Sequence, residues 1–150
     1  MDIQKYIEAS VKANRADSFA KSDQLTLGEI ISKCQAIEAN LGAEDKRIVS
    51  FDFANMVPTN IDSWRGSYAE LALSFNSDEE GETIKVGAFI NMLESAVGKT
   101  FTGYKGGDFT MSRHTPVWVA NYGKSGSTAI IDVIDDGYWA AVLMTGYREF

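Results

Sequence analysis

Apolar residues recur along this chain with two different periods, and the change from one to the other divides it. Starting at Asp2, which can cap a helix, Ile3, Tyr6, Ile7 and Val11 return at intervals of three and four, the spacing that gathers side chains on one helical face. The stretch TLGEIISKCQAIEANLG carries a stronger signal. Thr26 and Glu29 stand at capping-box spacing, Leu27, Ile30, Ile31, Cys34, Ile37 and Leu41 form one stripe, and Gly42 stands where a left-handed C-terminal cap belongs. Two N-terminal helices within residues 1–45 follow from this pattern.

Past GAEDK the period falls to two. Val49, Phe51 and Phe53 alternate with Ser50 and Asp52, the pattern of a half-buried strand. FANMVPTNIDSWRG breaks the alternation with Pro58, two asparagines and Gly66, and it reads as a long connection. In SYAELALSF the alternation returns, with Ala69, Leu71, Leu73 and Phe75 on one side and Tyr68, Glu70 and Ser74 on the other. NSDEEGE, with four acids in seven residues, reads as a solvated turn, and Val86, Phe89, Ile90, Leu93 and Val97 predict a third helix closed by Gly98.

From there the chain reads as an antiparallel meander. FTGYK and DFTM flank Gly106-Gly107, a pair that supplies the two positive φ values of a tight hairpin turn; in that register Lys105 faces Asp108 and Tyr104 faces Phe109. VWVANY, TAIIDVI and YWAAVLMTGY predict three further strands, separated by KSGS and DDG turns. The sum is an α+β fold: an antiparallel sheet of five to seven strands with a C-terminal meander, two N-terminal helices, and one helix between strands, with the helices on one face. Residues 1–150 form a single domain, helical over 1–45 and sheet-containing over 46–150.

Composition adds boundaries to this picture. With 45% hydrophobic and 23% charged residues, the chain belongs with globular proteins and not with disordered ones. Its N-terminus lacks the continuous apolar run of a signal peptide, and no stretch approaches the roughly 20 apolar residues that span a bilayer, so a cytoplasmic location is expected. One cysteine and one histidine are too few for a structural zinc site, and neither a metal nor another cofactor is expected. Cys34 lies inside an apolar helical stripe and reads as a core residue.

The net charge of −7 disfavours a nucleic-acid partner. The cations are unevenly placed. Lys99, Lys105, Arg113 and Lys124 against Asp108 give residues 99–127 a charge of +3, which leaves −10 on the remainder. An acidic body with one basic segment suits a small anion better than a long duplex.

Three constellations could carry chemistry. His114 has no serine, threonine or cysteine at a motif spacing that would make a nucleophile and base pair, so the reading leans away from an enzyme. Asp132, Asp135 and Asp136 could hold a hard cation, although Asp135-Asp136-Gly137 is also what a hairpin turn prefers; Asp132 falls on the same face as Ile130 and Ile134. The third constellation is double. SWRGSY sets Trp64, Arg65, Gly66 and Tyr68 together, and GYKGGDFTMSRHTPVW repeats the ingredients with Tyr104, Lys105, Gly106, Gly107, Arg113, His114 and Trp118. Guanidinium and ammonium groups bind phosphate, indole and phenol rings stack on bases, and glycines admit a ligand to the backbone. If the two stretches converge, they supply the parts of a pocket for a nucleotide-like anion.

On DSWRGSYAELAL, VGAFINMLESAVGKTFTGYKGGDFTM and TPVWVANYG the chain resembles a group of small uncharacterised proteins encoded by bacteriophages, over roughly residues 48–147. That resemblance implies a phage origin. Phage genomes carry many small acidic proteins that act inside the infected cell, either by occupying a host protein or by sequestering a host signal nucleotide. The expectation is therefore a non-enzymatic binder of a small nucleotide-derived anion that counters host defence, with no membrane partner. Two alternatives accompany it: an acidic inhibitor docking on a host protein, and an enzyme degrading such a nucleotide with His114 as acid or base. A homo-oligomer is a further expectation, since 138–147 reads as an edge strand that could pair in a dimer.

Overall fold

The computed structural model describes residues 24–42, 47–53, 55–78, 83–103, 105–120, 128–137 and 140–147. The helix expected from Asp2 and the acids at 79–82 lie outside them. Helix α1 (Leu27–Glu38) begins as its sequence requires: Thr26 Oγ1 accepts the Glu29 N–H at 3.3 Å, and Glu29 Oε1 accepts the Thr26 N–H at 2.9 Å. Its C-terminus departs from expectation. Gly42 does not take the left-handed backbone; the N–H groups of Ala39, Asn40 and Leu41 bond to helical carbonyls, and Asn40 Nδ2 donates to the Ala36 carbonyl at 3.1 Å. With those carbonyls satisfied, a glycine cap has nothing left to do.

Among the described residues eight strands follow: β1 (Ile48–Phe51), β2 (Met56–Trp64), β3 (Ser67–Ser77), β4 (Thr100–Thr102), β5 (Asp108–Thr110), β6 (Val117–Val119), β7 (Thr128–Asp135) and β8 (Ala140–Tyr147). Helix α2 (Val86–Ala96) lies between β3 and β4, and Gly98 just after it has a φ of 77°, as the sequence predicts. Six strands form one sheet in the order β1-β8-β7-β6-β3-β2, while β4 and β5 pair only with each other. The sheet is mixed and not antiparallel. β1 runs parallel to β8, and β3 runs parallel to β6 because the segment between them crosses over through α2 and the β4–β5 hairpin.

The stretch read as a long connection is strand β2. Pro58 cannot donate to a ladder and is tolerated because β2 is an edge strand. Register shifts between Pro58 and Asn60 and between Ser63 and Trp64 insert residues that destroy the alternation on which the sequence reading relied. A shift between Ile130 and Asp132 does the same in β7. There Asp132 pairs with Lys33 of α1, whose Nζ lies 3.1 Å away.

Both helices cover one face of the sheet. Leu27, Ile30, Ile31, Cys34, Phe89 and Leu93 pack there on Val49, Leu71, Leu73, Val117, Ile130 and Leu143, all buried. Each such side chain contributes about 1.5–3 kcal/mol of burial free energy, which is why tertiary packing holds helices of 11 and 12 residues that would be marginal alone. On the opposite face Trp64, Ala72, Trp118 and Ala129 form a second cluster.

The sheet margins are closed to strand addition. Val49 donates to the Ile84 carbonyl at 2.9 Å and Ile48 bridges Lys85 along β1, while β2 carries a proline, two bulges and an exposed Asp62. β8 lies between β1 and β7, so 138–147 is not the edge strand that the sequence reading offered for a dimer.

Candidate functional site

The first of the two constellations sits at the β2–β3 hairpin. Trp64 pairs with Ser67, leaving Arg65 and Gly66 as the exposed turn. A Cβ on Gly66 would lie 2.5 Å from the benzo ring of Trp64, so this glycine is required by the indole beside it. That is a correction to its expected use as an opening for ligand. The Trp64 ring stacks on Trp118 with centroids 4.1 Å apart and planes 12° from parallel. Trp118 Nε1 donates to Glu70 Oε1 at 2.9 Å, which satisfies the buried indole N–H. Trp64 and Trp118 are 8% and 1% exposed. The two indoles expected to stack on a base stack on each other instead.

The second constellation is a hairpin whose register differs from the one its glycines suggest. Gly106 and Gly107 do have positive φ values of 95° and 87°, yet Phe109 faces Phe101, and Asp108 faces Thr102 with a side-chain hydrogen bond of 3.3 Å. The chain reverses over 103–107, not over two residues: Gly106 N–H donates to the Gly103 carbonyl and Gly103 N–H to the Gly107 carbonyl, both at 2.9 Å. One N–H of the expected glycine nest is therefore already used inside the turn. Lys105 is exposed at the tip, and Tyr104 lies outside the described residues.

Tyr68 joins the two constellations. Its ring presses on Gly103, where a Cβ would lie 2.7 Å away, and meets Phe109 edge-on at 6.1 Å. Ser63 Oγ donates to the Tyr68 carbonyl at 2.7 Å and fixes that backbone against β2. Tyr68 thus links the W-R-G-x-Y word to the G-Y-K-G-G word through its contact with Gly103.

Arg113 and His114 sit on the loop before β6. Arg113 Nη2 donates to Glu94 Oε2 of α2 at 2.9 Å, and both side chains remain partly exposed. Its carbonyl accepts the Gly28 N–H at 2.9 Å, and that of Thr115 accepts the Leu27 N–H at 2.8 Å, so backbone already occupies donors of the first turn of α1. His114 is exposed, and its backbone N–H donates to Ser112 Oγ at 3.1 Å within a local serine-threonine turn. Glu94, Glu70 and Gly28 were not legible as partners, since only the fold sets them beside Arg113 and Trp118.

The remaining candidates resolve into structure. Burial, and then the charge of Glu38, push the Cys34 thiol up to about 12, as befits a core residue. Asp135 pairs with Arg47 and accepts the Gly137 N–H at 2.8 Å, and Asp136 accepts the Ala140 N–H at 3.1 Å, around a Gly137 with φ of 83°. These acids build the turn. Among the described residues no three His, Cys, Asp or Glu side chains cluster to hold a metal, and no helix is long and apolar enough to cross a membrane. Comparison with family models, curated proteins and solved structures finds no match.

Proposed function

We propose that this protein is a non-enzymatic binding protein for a small phosphate-bearing, nucleotide-derived anion, encoded by a bacteriophage and acting in the host cytoplasm by sequestering a defence signal. The observation that supports the reading is the seating of Tyr68 on Gly103 and Phe109, a contact between the stretch that carries Arg65 and the stretch that carries Lys105. Lys105, Arg113 and His114 are exposed, and Arg65 is exposed on the neighbouring turn, so phosphate oxygens can reach them from solvent. Tyr68, half-buried, takes over the role of aromatic contact that the two tryptophans do not fill.

Binding without turnover is the simpler chemistry here, because His114 stands on an exposed loop whose hydroxyl groups, Ser112 and Thr115, are engaged with backbone N–H groups. Calorimetric and thermal-shift titration with linear and cyclic nucleotides tests the reading. A ligand at 100 times its dissociation constant adds about 2.7 kcal/mol to stability, and intact ligand is recovered after the protein is denatured. No shift across the panel, or a degraded ligand, contradicts it.

A further inference from the structure

Every candidate cation of the site is exposed, and Arg113 has a carboxylate partner in the fold, Glu94 at 2.9 Å. We infer that Glu94 is a built-in competitor for the anion: it occupies the Arg113 guanidinium until a ligand phosphate displaces it, and so sets a threshold that selects a polyphosphate over a single phosphate group. The inference rests on the binding reading above and specifies it further.

Three features support it. The root of Arg113 is fixed, because its carbonyl is held by the Gly28 N–H at 2.9 Å and a Cβ at Gly28 would come within 3.0 Å of the Arg113 Cβ. The head is not fixed: Arg113 and Glu94 side chains are 53% and 36% exposed, so the pair can open without moving backbone. A second cation, Lys99, follows this end of α2: its N–H bonds to the Ala96 carbonyl, its carbonyl accepts the Met111 N–H, and its ammonium lies over the Phe101 ring at 4.9 Å. A carboxylate carries one negative charge, whereas a polyphosphate chain carries several and can engage more than one cation together. An exposed pair of this type is weak, so Glu94 acts as a filter and not as a block.

The test is titration calorimetry of orthophosphate and tripolyphosphate into the wild type, Glu94→Gln, Arg113→Ala and the double variant. The wild type is expected to bind tripolyphosphate and to discriminate against orthophosphate. Glu94→Gln should tighten orthophosphate by roughly two- to fivefold, the range set by loss of an exposed ion pair, and this gain should vanish in the Arg113→Ala background. Asp62→Asn, which removes the same charge from edge strand β2, should give no gain. If the wild type binds tripolyphosphate but Glu94→Gln changes nothing, or Asp62→Asn gives an equal gain, the competitor role is wrong and the binding reading stands. If no variant binds either probe, both fall. Thermal unfolding without anion checks that each variant is folded.

Discussion

The indoles of Trp64 and Trp118 lie face to face at 4.1 Å, although 54 positions separate them along the chain. One comes from the end of edge strand β2 and the other from the short central strand β6, so the stack ties the β2–β3 turn to the middle of the sheet. Its consequence is mechanical: the turn that presents Arg65 has a buried anchor. Trp64→Ala is expected to cost about 3–5 kcal/mol, the usual loss on truncating a buried aromatic. Chemical denaturation measures this, and a loss below about 1 kcal/mol contradicts the anchoring role.

Gly66→Ala should destabilise by about 1–3 kcal/mol through crowding alone, since the added carbon meets the Trp64 ring at 2.5 Å and no left-handed backbone is involved. Gly106→Ala should also destabilise, by about 1–2 kcal/mol, for the opposite reason: there is open space around it, but its φ is 95°. Equal tolerance of alanine at both positions in denaturant titrations would falsify this assignment of their roles.

Gly103→Ala is expected to cost about 1–3 kcal/mol and to loosen the β4–β5 hairpin from Tyr68, because the added carbon would sit 2.7 Å from the phenol ring. Amide hydrogen exchange in the variant should rise at 100–110 while that of β7 and β8 stays near wild type. Uniformly faster exchange would show that Tyr68 does not hold the hairpin locally.

Cys34 gives a pH dependence of definite sign. Its thiol is raised from 9.0 toward about 12 in the folded chain. Between those values the native state retains a proton that the unfolded state has lost, so this contribution to stability is complete below pH 9 and declines as the pH rises toward 12. Denaturation series from pH 8 to 11 should therefore show a steeper alkaline loss for the wild type than for Cys34→Ala. Parallel curves would contradict the assignment, as would rapid labelling of the native thiol at pH 8 by a disulfide reagent.

The sequence made most of this fold readable wherever period and face agreed. The capping box at Thr26 and Glu29, the stripe of α1, the alternation of Leu71 and Leu73 and the left-handed Gly98, Gly106 and Gly107 all appear where the residues demand them. It failed where one inserted residue hides the period, at Pro58–Asn60 in β2 and Ile130–Asp132 in β7, and where pairing partners are distant, as in the parallel β1–β8 and β3–β6 ladders. The site was legible in the same uneven way. Both words were legible as glycine-flanked stretches of aromatic and cationic residues, but the contact of Tyr68 with Gly103 that links them was not. That the indoles would pair with each other, or that Arg113 would meet Glu94, depends on tertiary geometry that no local pattern encodes.

We propose that the ends of the two hairpins form one anion-binding surface around Tyr68. Backbone amide chemical shifts recorded during titration with a nucleotide that binds test it most directly. Changes are expected at 65–68, 103–110 and 112–114, weakened by Lys105→Glu and by Tyr68→Ala. Changes confined to the far side of the molecule, on β1 and β8, or saturable binding that ignores both substitutions, would contradict it.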